Sequence, residues 1–231
     1  MSNVAVLKIG GALLEKPEEA VEKIISKRKD GLTVVHGGGV QITRMLERMN
    51  VKSQFIDGLR VTDDVTLAAV AASLLGEVHT ALVRALQTAG VPAIGVFGAV
   101  KAERKSGPWG LVGTNVRADR TAFDPLIESG KVPVIPTLAV GESTLLNVNG
   151  DETASGVALA LQAQELIFLT DVEGVLDADG QLIPAVPPEV SLLDAPFVTG
   201  GMKPKLRAVA AALAGGVSRV SVGRTIFGSP K

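Results

Sequence analysis

The chain has 231 residues, 23 basic and 24 acidic side chains, a net charge of −1, no cysteine and two histidines. That composition excludes disulfides and thiolate metal sites, disfavours a histidine-based metal site, and offers no basic surface for nucleic acid or anionic membrane. Apolar residues reach 46% but aromatics only 3%, so the core is built from Ala, Val and Leu, and the length allows one large α/β domain or two small lobes.

No continuous apolar run approaches the roughly 18 residues of a membrane span. The opening MSNVAVLKIGG lacks the basic segment, apolar stretch and cleavage site of a leader, so a cytoplasmic location is expected. Residues 4–9 read as a buried strand that ends in Gly10-Gly11. Pro17, Glu18 and Glu19 suit the first turn of a helix, which Gly31 stops. A second strand at 32–35 runs into His36-Gly37-Gly38-Gly39. Ile42, Met45, Leu46 and Met49 then repeat at helical spacing. Residues 57–62 read as a loop or short ribbon. Asp63 or Asp64 can cap a long helix with Leu67, Val70, Leu74, Val78 and Leu82 on one face, ended by Gly90. A strand follows at 91–97. Residues 100–116 read as an exposed hairpin rather than a parallel-sheet strand, and 123–128 as a short helix. The stretch 132–140 reads as one strand, although Pro133 and Pro136 weaken it.

Residues 145–148 lead into Asn149-Gly150-Asp151 and a helix carrying Ala154, Val157, Ala158 and Leu161. Residues 166–170 form a strand, 184–196 a proline-rich loop, 203–214 a helix and 217–222 the last strand. Strands alternating with helices predict an α/β fold with a mostly parallel sheet covered on both faces, a three-layer αβα sandwich. There is no repeat or linker, only a soft boundary near Val140.

Several positions carry possible chemistry. Both glycine turns lie where ligands sit in such sheets, at the carboxyl ends of strands, and backbone N–H groups there can meet an anion. They can equally be plain turns, and neither matches the P-loop or the dinucleotide fingerprint. Lys8 interrupts a buried strand beside Gly10; it either snorkels or meets a phosphate. Lys203 and Lys205 open a helix against its dipole, which suits a bridging anion or a solvated turn. Asp151 can be an N-cap or an aspartate that orients the lysines. Arg60 can grip a carboxylate in two-pronged fashion or pair with a surface aspartate. His36 can fix its glycine turn by hydrogen bonding, His79 reads as structural, and Trp109 as a packing residue.

In order, the segments VLKIGG, VVHGGG, DGLRVT, LLNVNGDETA, LIFLTDVEGVL and VTGGMKPK resemble the amino-acid kinase family, and within it the acetylglutamate kinases, over residues 4–222. The resemblance implies a single domain over 1–231, with a lobe at about 1–140 for substrate binding and dimerisation and one at about 141–231 for nucleotide. It implies ATP as co-substrate with Mg²⁺, and N-acetyl-L-glutamate as acceptor. It assigns Lys8 and Lys205 to the transferring phosphoryl group, Gly11 to an N–H donor, and Asp151 to organising the lysines. It assigns Gly38, Gly39, Arg60 and Asn147 to the acceptor. Gly10, Asp171, Val172, Glu173, Gly174, Val175, Leu176, Phe197, Val198 and Thr199 fall to the nucleotide; a protein-held metal site is not specified.

Lys203 resembles the kinases that act on carrier-bound aminoadipate, whereas DGLRVTDD resembles the version acting on free acetylglutamate. A carrier-bound acyl substrate and a non-catalytic amino-acid-binding module on the same fold therefore stay as alternatives. The short segment after Val222 puts the nucleotide-side edge in question. The lack of an extra N-terminal helix implies an arginine-insensitive homodimer, with the helix at 64–87 as its interface.

Overall fold

The computed structural model describes residues 4–28, 30–187 and 190–228, so two positions of the proline-rich 184–196 stretch lie outside the described residues. In chain order the elements are β1 (Ala5–Ile9), α1 (Pro17–Ser26), β2 (Leu32–His36), α2 (Gly39–Arg48), β3 (Phe55–Ile56) and β4 (Leu59–Arg60). Next come α3 (Asp64–Ala71), a π-helical stretch (Ala72–His79), α4 (Thr80–Thr88), β5 (Ala93–Gly95), β6 (Val100–Arg104) and β7 (Val112–Ala118). They continue with α5 (Asp124–Glu128), β8 (Val132–Pro136), β9 (Leu138–Val140), β10 (Leu145–Val148), α6 (Gly150–Ala160) and β11 (Glu165–Phe168). The chain closes with β12 (Ala185–Val186), α7 (Met202–Ala214), β13 (Arg219–Val222) and β14 (Thr225–Gly228).

Eight strands form one sheet in the order β12-β14-β13-β11-β1-β2-β8-β5. Every pairing in it is parallel except β13 with β14. The alternation along β1 sorts the two faces. Ala5, Leu7 and Ile9 join the core shared with α1 and α4, while Val4 and Val6 join the core under α2, α6 and α7. Helices thus cover both faces, as a buried parallel sheet requires. Lys8 lies on the same face as Val6, and β1 sits mid-sheet between β11 and β2. The chain leaves β1 toward β2 on one side and pairs it with β11 on the other. The crevice at the carboxyl end of β1 is therefore a topological switch point.

Four predicted elements need correction. The stretch 132–140 is two strands, because the chain leaves the large sheet after Pro136 and β9 enters a closed four-stranded barrel, β10-β7-β6-β9. The prolines fit there: Pro133 precedes the first paired residue on β2, and Pro136 faces the side on which β5 has already ended. The hairpin β6–β7 is antiparallel as expected, but it is not isolated, since β7 pairs in parallel with β10 and β6 with β9. The strand at 91–97 contracts to three residues. The strand at 217–222 is not the last, since β14 turns back antiparallel on it and β12 then pairs with β14, closing that edge of the sheet.

The long helix, Asp64–Thr88, is capped by Asp63, whose side chain accepts the Thr66 N–H at 2.7 Å. Such a cap contributes about 1 kcal/mol. By length and mean hydropathy this helix is long and apolar enough to cross a membrane, although no uninterrupted apolar run in it has that length. Here Val70, Leu74, Leu82 and Leu86 are buried in the two cores, so its apolar stripe is used for packing.

Candidate active site

Lys8, carried on β1, reaches Asp151 Oδ1 at 2.9 Å. Lys205, in the first turns of α7, reaches Oδ2 of the same carboxylate at 3.0 Å and Oδ1 at 3.1 Å. All three side chains are at least 85% buried. The cap of α6 falls to Asn149, whose side chain accepts the N–H groups of Asp151 and Glu152, so Asp151 is released from capping to face the lysines. Burial alone would raise the Asp151 pKa, but the two ammonium groups outweigh it and hold the carboxyl below the usual range. Burial pushes the Lys205 ammonium down, and Asp151 opposes that in part. Two lysines against one carboxylate leave the cluster with one excess positive charge, which suits a phosphoryl group.

Glycines make room for Lys8. A Cβ on Gly10 would lie 3.1 Å from its Nζ, and one on Gly150 would lie 3.0 Å from its Cε. Gly11 has φ +63, a left-handed conformation that glycine adopts without strain. Two cavities meet at Lys8, Gly10 and Gly11. The smaller, about 260 Å³, extends over Gly38 and Gly39 to Arg60 and Asn147. The larger, about 410 Å³, extends over Asp171, Val172, Thr199 and Lys205.

Arg60 is 92% buried and is no surface ion pair. Among the described residues its hydrogen-bond partners are the Ser53 hydroxyl, the Gly39 carbonyl at 3.2 Å and the Thr43 hydroxyl at 2.8 Å. Its guanidinium also lies 4.7 Å from the centre of the Phe55 ring. Buried, fixed and partnered by neutral oxygens, it is set to receive a carboxylate. Asn147 donates to the Thr62 hydroxyl at 3.0 Å and lines the same cavity.

The other assigned residues divide. Gly10, Asp171, Val172 and Thr199 line the larger cavity. Val175 and Val198 are buried in the core instead, so their side chains do not reach the cavity. Gly174 packs against Leu182 and Thr225, and Glu173 pairs with Arg224. Leu176 bridges to Leu182, and Phe197 packs on the core. Lys203 is exposed and lines neither cavity, because residues two apart on a helix face different ways. Reading the sequence missed Gly150, Thr137 and Phe55; a glycine directly after the cap Asn149 was the available signal for Gly150. Trp109 acts at a distance, donating from Nε1 to the Ile56 carbonyl at 3.2 Å and so tethering the β3–β4 ribbon.

A central parallel sheet with a lysine–aspartate–lysine cluster at its switch point, between an anion-binding glycine crevice and an arginine-lined cavity, defines a phosphotransferase of the αβα-sandwich type. Residues 3–224 match the sequence profile of the Amino acid kinase family. Acetylglutamate kinase of Endomicrobium trichonymphae is 38% identical over 242 residues, covering 100% of this chain and 97% of that protein. Acetylglutamate kinase of Acidobacterium capsulatum is 39% identical over 231 residues, covering 94% of this chain and 89% of its own length. The crystal structure of smu.665 from Streptococcus mutans superposes with a TM-score of 0.85 at 27% identity, over 99% of both chains. This chain belongs to the amino-acid kinase family.

Proposed function

We propose that the chain transfers the γ-phosphoryl group of ATP to the γ-carboxylate of N-acetyl-L-glutamate, forming N-acetyl-L-glutamyl 5-phosphate for arginine biosynthesis. The observation that carries this is the Lys8–Asp151–Lys205 cluster at the junction of two cavities, one of which holds a buried arginine without an acidic partner among the described residues. A carboxylate is already a nucleophile, so the site needs no general base. It needs in-line positioning and neutralisation of the charge that spreads over the moving phosphoryl group. Lys8, Lys205 and the N–H of Gly11 supply that charge stabilisation. Arg60 takes the α-carboxylate of the acceptor, with Asn147, Gly38 and Gly39 around the rest.

In this reading most of the acceptor side comes from the stretch up to about Val140, joined by Asn147, and most of the nucleotide side from the remainder, joined by Gly10. Gly10, Asp171, Val172 and Thr199 form the nucleotide wall, with the 173–176 and 197–198 segments supporting it from behind. Among the described residues no group of three or more His, Cys, Asp or Glu could hold a metal. In this reading Mg²⁺ would come with the nucleotide and would supply charge that shields its phosphate oxygens. Lys203 points away from both cavities, and free N-acetylglutamate is the acceptor this geometry favours over a carrier-bound one. We place the enzyme in the cytoplasm as a homodimer joined through the Asp64–Thr88 helix, for which gel filtration at twice the chain mass is the check.

Two measurements test the acceptor. ATP-dependent hydroxamate formation is expected with N-acetylglutamate and not with glutamate, aspartate or N-acetyl-aminoadipate; activity confined to one of the latter three contradicts the reading. Arg60→Met is expected to raise KM for N-acetylglutamate about 10- to 100-fold, the scale of one lost charged hydrogen-bond pair, with KM for ATP little changed. An equal rise in both constants would remove Arg60 from the acceptor site.

A further inference from the structure

The two histidines form a relay behind the acceptor cavity. His36 Nδ1 lies 3.0 Å from the Gly37 carbonyl, and His36 Nε2 lies 2.9 Å from His79 Nδ1. A carbonyl oxygen only accepts, so His36 carries its proton on Nδ1 and accepts at Nε2. His79 must then donate from its own Nδ1. His36 is completely buried, and burial, helped by His79, pushes its pKa down to about 3 against the raising effect of the Gly37 carbonyl; burial lowers His79 as well. Burial thus favours the neutral form of both rings, and the hydrogen-bond geometry puts the proton of each on Nδ1.

The consequence falls on one peptide. Among the described residues no peptide bond is cis, so the Gly37 carbonyl and the Gly38 N–H point in opposite directions. Holding the carbonyl on His36 turns the Gly38 N–H away from the ring, and Gly38 lines the acceptor cavity. That N–H has no backbone or side-chain acceptor among the described residues. The brace behind it is the π-helical stretch. His79 is its last residue, and its Leu74 and Val78 close on Gly38 so tightly that a Cβ there would meet them at 2.8 and 3.1 Å. On the far side His79 Nε2 abuts Gly95, where a side chain would collide with the ring. Wide helical turns of this kind are uncommon and concentrate at functional sites.

We propose that the π-helical stretch Ala72–His79 is a positioning element for the acceptor, and that His79, acting through His36, fixes the Gly37–Gly38 peptide with its N–H directed at an anionic or carbonyl oxygen of that substrate. This inference rests on the acceptor reading above. A core role alone would be served by any packed pair of rings, whereas positioning requires both protons on Nδ1.

Nitrogen-15 NMR of the imidazoles in the wild-type protein without substrate reads those protons directly. Both rings are expected as neutral Nδ1–H tautomers; an Nε2–H form at His36 overturns the inference, whatever the substrate proves to be. In kinetics, His79→Leu is expected to raise KM for N-acetylglutamate about tenfold, the scale of one hydrogen bond, with kcat and KM for ATP within about twofold. His79→Asn, whose amide N–H can stand where Nδ1–H stood, is expected to restore most of the loss. A His79→Leu enzyme with unchanged acceptor KM, or a general loss in all constants that His79→Asn does not repair, contradicts positioning. If the wild-type enzyme ignores N-acetylglutamate, the acceptor reading fails while the tautomers still decide this one.

Discussion

Lys8→Met and Lys205→Met are each expected to lower kcat by about 10²–10³-fold, the scale for removing one charge-stabilising donor from a phosphoryl- or acyl-transfer site. KM for both substrates should move far less. The reason lies in where the ammonium groups sit. Both are held on Asp151, Lys8 where the two cavities meet and Lys205 on the adjoining wall of the larger one, so in this reading they face the moving phosphoryl group and not the parts of either substrate that give ground-state affinity. Methionine keeps most of the side-chain length, and the remaining lysine keeps Asp151 paired, so the fold should survive either change. The two losses should not add in the double variant, because the lysines act on one charge. Near-normal turnover in either variant would remove phosphoryl transfer from this cluster.

Asp151→Asn should be as damaging by a different route. It leaves two ammonium groups close together in a buried site with the intervening charge gone. Breaking such a cluster costs about 3–5 kcal/mol of stability. The Asp151 carboxyl is held below its ordinary value of 3.8, so the stability it contributes is present above about pH 4 and is lost as pH falls through its depressed native value. The deficit of the variant should therefore be full near neutrality and shrink in acid. Catalysis should show the opposite limb. Burial already pushes Lys205 down and only Asp151 opposes it by direct contact. Without that contact, Lys205 loses its proton at lower pH, and kcat of the variant should fall at a lower alkaline pH than in the wild type. Denaturant titration across pH and a kcat–pH profile measure the two effects; an unchanged alkaline limb would mean that Asp151 does not tune Lys205.

Much of this was legible in the chain because the relevant signals are local. Lys8 beside Gly10-Gly11 breaks an apolar run, and a lysine there needs an anion or a carboxylate. The alternation of β1 and β2 with α1 and α2 reads directly from spacing. What was not legible depends on contacts between distant residues. The division of the cap and the bridge between Asn149 and Asp151 turns on where two lysines from β1 and α7 arrive. The break between β8 and β9 turns on a second sheet that only the folded barrel supplies. Val175 and Val198 sit in family motifs yet face the core, because a segment can shape a cavity with its backbone while its side chains pack behind it. The π-helical turn leaves no mark on an apolar helix pattern, and its effect appears only where His79 meets His36.

The central claim is that a carboxylate oxygen of the acceptor attacks the γ-phosphorus. It is tested most directly with N-acetylglutamate carrying ¹⁸O in its γ-carboxylate, with the acyl phosphate trapped by hydroxylamine. Hydroxylamine attacks the acyl carbon, so the bridging oxygen leaves with phosphorus. The account predicts one ¹⁸O in each phosphate released, in step with hydroxamate formed. Phosphate without label, released at the rate of ATP consumption, would contradict it.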